Sequence, residues 1–283
     1  MNKKIILVLG IVFSTFCHAQ EKLSQNAINL IDGLDGLSSG ISAIYDLRMT
    51  LSCFSDEETE KILSSIDNFS TENKEKIKKC AEQEKIILEN FIAMEKYNYL
   101  YEKPGQARIQ HEELFKSLQK CQVFAQQHND SELDAYFFCT WADITSCYMG
   151  YSLKDVIKYG TEVKPLYEKA LKENPKLSYA LTNIGQWYYF APKIAGGSKK
   201  KTLEYFTMAK DCAESTSQKY FANIFLSQIL FEQKDLKKCN ELLDEATTFC
   251  PQSKYLEKIK GANSQGLSLF EFNKKKSSLN EEK

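Results

Sequence analysis

The side chains with which this chain could do chemistry are three histidines, nine cysteines and 38 acidic residues, and their spacing narrows what that chemistry is. Nucleophilic catalysis needs a thiol or hydroxyl beside a base. His111 and His128 stand apart from any local Ser, Cys or Asp arrangement of a hydrolase, so the pairing left open is Cys139 with His111, joined across a fold. Zinc is held by closely spaced Cys and His pairs. No such pair occurs, nor an HExxH zinc helix, a GxSxG elbow or a phosphate-binding P-loop. Asp32-Gly33-Leu34-Asp35-Gly36 lacks the acidic spacing of a calcium loop. Gly196-Gly197, ahead of a predicted helix, has two readings: a backbone cradle for phosphate, or a structural elbow. The sequence therefore predicts no catalytic residue, no metal and no cofactor, and the chemistry to look for is binding.

The first residues read as an address. Lys3 and Lys4 precede an apolar run from Ile5 to Phe13, followed by Ser14, Thr15 and then Cys17-His18-Ala19. This is the pattern of a secretory signal peptide over 1–19, cleaved after Ala19. The run is too short to span a bilayer. The alternative is a buried first helix. A lipid on Cys17 is disfavoured by bulky Phe16 directly before it. Export to the periplasm or cell envelope changes how the cysteines read. Cys53, Cys80, Cys121, Cys139, Cys147, Cys212, Cys239 and Cys250 remain, an even number, which in an oxidising compartment permits disulfides. They are scattered, though, and Cys139 and Cys147 fall on one helical face as small core residues would.

The formal charge of -1 gives no general drive toward nucleic acid or an anionic membrane. The basic runs Lys199-Lys200-Lys201 and Lys274-Lys275-Lys276 read as a solvated helix start and a solvated tail, or as an anion or lipid-headgroup site, which keeps peripheral membrane association open. Only 12 Gly and 5 Pro occur, too few for the turns of an all-β protein, so helices are expected throughout.

The elements follow from helical spacing of apolar residues. Residues 20–130 form an N-terminal helical region, possible ground for degenerate repeats. Within it, 22–48 is mildly amphipathic and interrupted by Gly33, Gly36 and Gly40. Ser55 with Asp56-Glu57-Glu58 opens a short helix to about Phe69, and Thr71 opens a long one that stops before Pro104-Gly105. Another helix covers 106–128, and Asn129-Asp130-Ser131 breaks it. Leu133 to Met149, rich in aromatics and cysteine, reads as a buried helix.

Residues 131–253 carry a repeated helical pair. Leu166-Tyr167-Glu168-Lys169-Ala170, followed by Pro175, reappears 39 residues on as Tyr205-Phe206-Thr207-Met208-Ala209 and 37 further on as Leu242-Leu243-Asp244-Glu245-Ala246, followed by Pro251. A large apolar residue fills the gap between helices, the alanine allows close approach, and proline ends the helix. In the preceding helices Leu181, Ile184, Gly185 and Tyr188 hold places equivalent to Asn223, Leu226, Ser227 and Leu230, with Gly185 and Ser227 as the small contacts. These residues resemble the tetratricopeptide repeat (TPR) superfamily, whose unit is about 34 residues. Residues 220–253 match it without a gap, 178–214 with an insertion, and 134–175 in the second helix through Val163, Tyr167, Ala170 and Pro175. The resemblance implies an all-α fold, a right-handed superhelical stack of antiparallel helix pairs (an α-solenoid). The insertion, Ala191-Pro192-Lys193-Ile194-Ala195-Gly196-Gly197-Ser198, looks like the T component of tripartite ATP-independent periplasmic (TRAP) transporters, an exported family that partners a periplasmic ligand-binding protein. Residues 254–283 are expected to supply a capping helix, with Tyr255, Leu256 and Ile259, and a disordered tail from Asn273.

In such a stack the concave face is lined by first helices. The register places Tyr179, Thr182, Gln186 and Tyr189 there from one unit, and Phe221, Ile224, Gln228 and Phe231 from the next. Aromatics with an amide between them suit a peptide or a small apolar ligand; equally, they could fill the superhelix against upstream helices or the C-terminal cap. Two functions follow. One is a non-catalytic scaffold for a protein or peptide partner in the envelope. The other is a transporter-associated component that binds a small apolar or acidic ligand together with a substrate-binding protein.

Overall fold

The computed structural model describes residues 37–101 and 106–273. The expected signal peptide and the lysine-rich tail lie outside these. Among the described residues the chain is helical, without a strand. The helices are α1 (Leu37–Leu51), α2 (Thr59–Lys79), α3 (Glu82–Leu100), α4 (Ala107–Gln126), α5 (Ala135–Met149), α6 (Leu153–Tyr159), α7 (Val163–Glu173), α8 (Ser178–Phe190), α9 (Lys199–Asp211), α10 (Thr216–Glu232), α11 (Leu236–Phe249) and α12 (Lys254–Ser264).

Helix starts are set by side chains that accept from the orphan backbone N–H groups. Asp134 takes the Tyr136 N–H at 2.7 Å, Ser198 the Lys201 N–H at 3.3 Å, Ser253 the Leu256 N–H at 3.0 Å. Ser215 accepts from Gln218 N–H at 3.2 Å while the Gln218 side chain accepts from the Ser215 N–H at 3.3 Å, a reciprocal cap.

One boundary differs from the sequence reading. α2 runs through Thr71 without interruption, and the break falls at Cys80-Ala81. Thr71 looked like a cap, but buried Asn73 turns its Nδ2 back to the Phe69 carbonyl at 2.8 Å and stays helical. At the true break the Ala81 N–H is taken by Glu84 at 3.1 Å, a device in which the capping oxygen comes from three residues ahead. A second difference is the short α6, inserted between α5 and α7. It separates the two helices of that pair and accounts for a match confined to the second helix.

Chain neighbours pack as neighbours. α5 pairs with α7, α8 with α9 and α10 with α11; each second helix also rests on the following first helix, as α4 on α5, α7 on α8 and α9 on α10. The first helices touch in order, α3 to α5, α5 to α8 and α8 to α10. Small residues sit where helices come closest. Ala170, Ala209 and Ala246 are buried, beside the buried Tyr167, Phe206 and Leu243 of their own helices. A Cβ on Gly185 would stand 2.6 Å from the Phe206 ring, so the glycine allows α8 and α9 to meet. Tyr188 stacks on Tyr205 across the same pair, with ring centres 5.4 Å apart. Pro175 and Pro251 lie exposed in the turns after α7 and α11.

The insertion folds as an elbow. Gly196 adopts φ 97°, open to glycine, and a Cβ on Gly197 would meet the Ala191 carbonyl oxygen at 1.9 Å. The Gly197 N–H donates to Pro192 O at 3.0 Å and the Ser198 N–H to Tyr188 O at 2.8 Å, tying the loop to the end of α8.

Candidate functional site

α1 is the element that defines the site. It lies against α3 and α10, the outer members of the row of first helices, and reaches α8 between them through Tyr45, whose ring meets that of Tyr179 edge-on at 5.8 Å. Ile41, Ala43, Ile44, Tyr45, Leu47, Met49 and Leu51 are all buried. A helix apolar on nearly every side belongs inside a protein, and this one is enclosed by the row it crosses.

At its middle is a cation. Arg48 Nε donates to Glu95 Oε1 on α3 at 2.6 Å, and Nη2 reaches the same oxygen. Glu95 is 1 % exposed. The guanidinium also stands over the rings of Tyr45, Phe221 and Tyr179, at 5.5, 5.9 and 6.0 Å. Burial works against its charge, and Glu95 more than restores it, so the Arg48 pKa is raised.

Asp143 on α5 is the second buried charge. Tyr167 OH donates to its Oδ1, Tyr179 OH to Oδ2 at 2.5 Å, and Asn183 Nδ2 to Oδ1 at 3.0 Å. Burial pushes this carboxyl up to about 6, against the pull of the two tyrosine hydroxyls and of Arg48. Burial likewise raises the phenols of Tyr45, Tyr167 and Tyr179, which keeps them protonated as donors. Tyr179 thus links both charges: its hydroxyl holds Asp143 and its ring lies under Arg48.

The residues assigned to the concave face divide into two groups. Tyr179 and Phe221 meet α1, with Phe221 6.4 Å from Tyr45. Tyr189 and Gln228 meet the C-terminal segment. Tyr189 OH donates to Glu232 at 2.6 Å and its ring packs on Phe270 at 4.5 Å; Gln228 Oε1 accepts from the Leu269 N–H at 2.8 Å and from Asn263 at 3.0 Å. Ile224 and Phe231 are buried, and Thr182 and Gln186 are half-buried. Gln186 Nε2 donates to Asn183 Oδ1 at 3.0 Å, which extends the Asp143 network. Two of the chain's own segments, α1 and residues 263–270, therefore cover four of these eight residues.

The lysines that follow the insertion, at the start of α9, have partners nearby. Lys199 pairs with Glu232 at 2.5 Å, and Lys201 lies 4.8 Å from the centre of the Tyr188 ring. Glu232 also accepts from Ser268 at 2.6 Å; burial works to raise it, but these donors hold its carboxyl below the ordinary value.

The pairing of Cys139 with His111 is not made. His111 Nε2 bonds Asp155 at 3.2 Å and the ring stacks on Tyr148, while Cys139 is fully buried with its thiol pushed well up by desolvation. The residues that sequence reasoning passed over are Arg48, Glu95 and Asp143. Asp143 had a signal, a single charge inside the apolar run Ala142-Asp143-Ile144, which marks a buried and partnered group; Glu95 beside Lys96 and Arg48 two residues after Asp46 had none.

A cleft of about 350 Å³ opens beside the N-terminal half of α1, lined by Tyr45, Tyr136, Gln218, Ser215 and the carboxylates of Asp134 and Glu214. Among the described residues no helix is long and apolar enough to cross a membrane, and no group of three or more His, Cys, Asp or Glu is placed to hold a metal ion. No protein-family model matches the chain, and no curated protein matches it.

Proposed function

We propose that this protein is an exported, non-catalytic interaction scaffold of tetratricopeptide type, a right-handed stack of helix pairs whose row of first helices receives a peptide or protein segment. The observation that carries the reading is α1 itself, an apolar helix with one central guanidinium, seated on that row between Glu95 and the tyrosines that hold Asp143. Recognition of a helix in an apolar groove is a recurring mode, and the occupant shows which chemistry the groove accepts. Two buried carboxylates and three aromatic rings select a segment with a basic residue among apolar ones. A neutral segment would leave Glu95 desolvated without a partner, at a cost of several kcal/mol.

The second reading is a transporter-associated component that binds a small apolar or acidic ligand. A cavity beside 188–198 would favour it. The cleft described above instead adjoins α1 and carries two carboxylates, which disfavour an acid.

The test is affinity capture of the protein from its own envelope fraction, read by mass spectrometry, with a synthetic α1 peptide as competitor. The scaffold reading predicts a protein partner that the peptide releases and that the same peptide with Arg48→Met does not. Recovery of low-molecular-weight ligand alone would contradict it.

A further inference from the structure

Two cysteines that are 197 positions apart in sequence meet where α1 ends. Cys53 Sγ and Cys250 Sγ are 3.5 Å apart. The contact is built by the surrounding backbone and hydroxyls. The Tyr255 N–H donates to Ser52 O at 3.0 Å, and Ser253 Oγ donates to the same carbonyl at 3.3 Å. Tyr220 OH donates to Ser52 Oγ at 3.1 Å and lies within hydrogen-bond distance of Ser253 Oγ, at 2.6 Å. Lys258 pairs with Asp56 at 2.6 Å just beyond. The segment after α1 is thus docked on the turn between α11 and α12 and on the start of α12 by three polar contacts, with Tyr220 of α10 bridging Ser52 and Ser253, and together these hold the two thiols in register.

We infer that Cys53 and Cys250 are a disulfide-forming pair that fastens α1 to the turn between α11 and α12. A disulfide needs sulfurs about 2.05 Å apart, so each has to move by less than an ångström, about the effect of a small side-chain rotation. The remaining thiols lack such a partner among the described contacts. Cys139 and Cys239 are buried, and Cys121 is occupied by the Asn90 amide at 3.2 Å. Burial raises Cys80, Cys121, Cys139, Cys147 and Cys239, whereas the hydrogen bond from Cys53, aided by Ser52, brings Cys250 down to about 7.

The oxidant is a small disulfide such as oxidised glutathione, or an oxidised thiol–disulfide oxidoreductase. The hydrogen bond to Cys250 raises the Cys53 thiol, so Cys53, the more exposed sulfur, passes its proton to the Cys250 thiolate as it attacks one sulfur of the oxidant, which releases the first thiolate and leaves a mixed disulfide. Cys250 gives that proton to the released thiolate, and as a thiolate again it attacks Cys53 Sγ and expels the second thiolate. Two protein thiols give up two electrons and two protons, and the oxidant becomes two thiols. The link stands on this geometry and is independent of what the first-helix face binds.

The test is equilibration of the purified chain with a reduced and oxidised glutathione mixture, alkylation of residual thiols, and peptide mapping without reduction. The expected result is one linked pair, Cys53 with Cys250, at tenfold or greater excess over any other pairing. Amide exchange in α1 should also slow at least tenfold on oxidation and return on reduction. In Cys53→Ser that protection should not develop. Recovery of both thiols alkylated under oxidising equilibrium would overturn the inference, as would a different dominant pairing, or α1 exchange unchanged by the link.

Discussion

Asp143 is a carboxyl whose proton the fold controls. Its ordinary value is 3.8, and burial among Tyr167, Tyr179 and Asn183 raises it to about 6. The folded protein therefore binds this proton more tightly than the unfolded chain does. Its contribution to stability is full below about pH 4 and is lost as pH rises through about 6, at most about 2–3 kcal/mol. Denaturant unfolding across that range should show the wild-type chain losing stability relative to Asp143→Asn, whose amide does not titrate. A constant difference between the two would sink the assignment. Arg48 sets a second expectation. Arg48→Met strands Glu95, 1 % exposed, and should cost about 3–5 kcal/mol. Adding Glu95→Gln should recover part of that, since the uncompensated charge is gone. A double variant no more stable than the single one would show that packing of the arginine stem, not charge, holds α1. Such groups were legible in part. A lone charge in an apolar run announces burial, but its partner lies on another helix and no spacing reports it.

At the scale of elements, the close approach of α8 to α9 depends on Gly185, and the elbow between them on Gly197. Gly185→Ala should cost about 1–3 kcal/mol in thermal or denaturant unfolding because the Phe206 ring has to yield. Gly197→Ala should cost more, because its Cβ meets rigid backbone 1.9 Å away. If Gly197→Ala proves the milder change, the elbow is more plastic than described. Gly185 stood out in the sequence as a small contact between helices, which is its role in the fold; Gly197 stood out as part of an elbow, and what it supplies there is room for the Ala191 carbonyl. α1 did not stand out, because Gly33, Gly36 and Gly40 weakened its helical pattern, while burial among α3, α8 and α10 overrides local propensity. The boundary at Cys80-Ala81 was missed through its capping chemistry. Thr71 offered a better cap on paper, but the true stop uses Glu84 from the following helix.

Across the whole molecule, the helical class and the pairs from α7 onward were readable because large and small residues alternate at positions that must touch. The occupancy of the first-helix face was not, since the periodicity that selects Tyr179, Tyr189, Phe221 and Gln228 is the same for an open groove and a filled one. The fold resolves this with two of its own segments, α1 at one side and residues 267–270 at the other. A partner on this face competes with α1 or extends beside it over the half-buried Thr182 and Gln186. Photo-crosslinking from position 186, in cells that make the protein natively, tests this most directly. The account predicts adducts to a peptide segment of another protein that carries a basic residue among apolar ones. Adducts confined to this chain's own helices would contradict it.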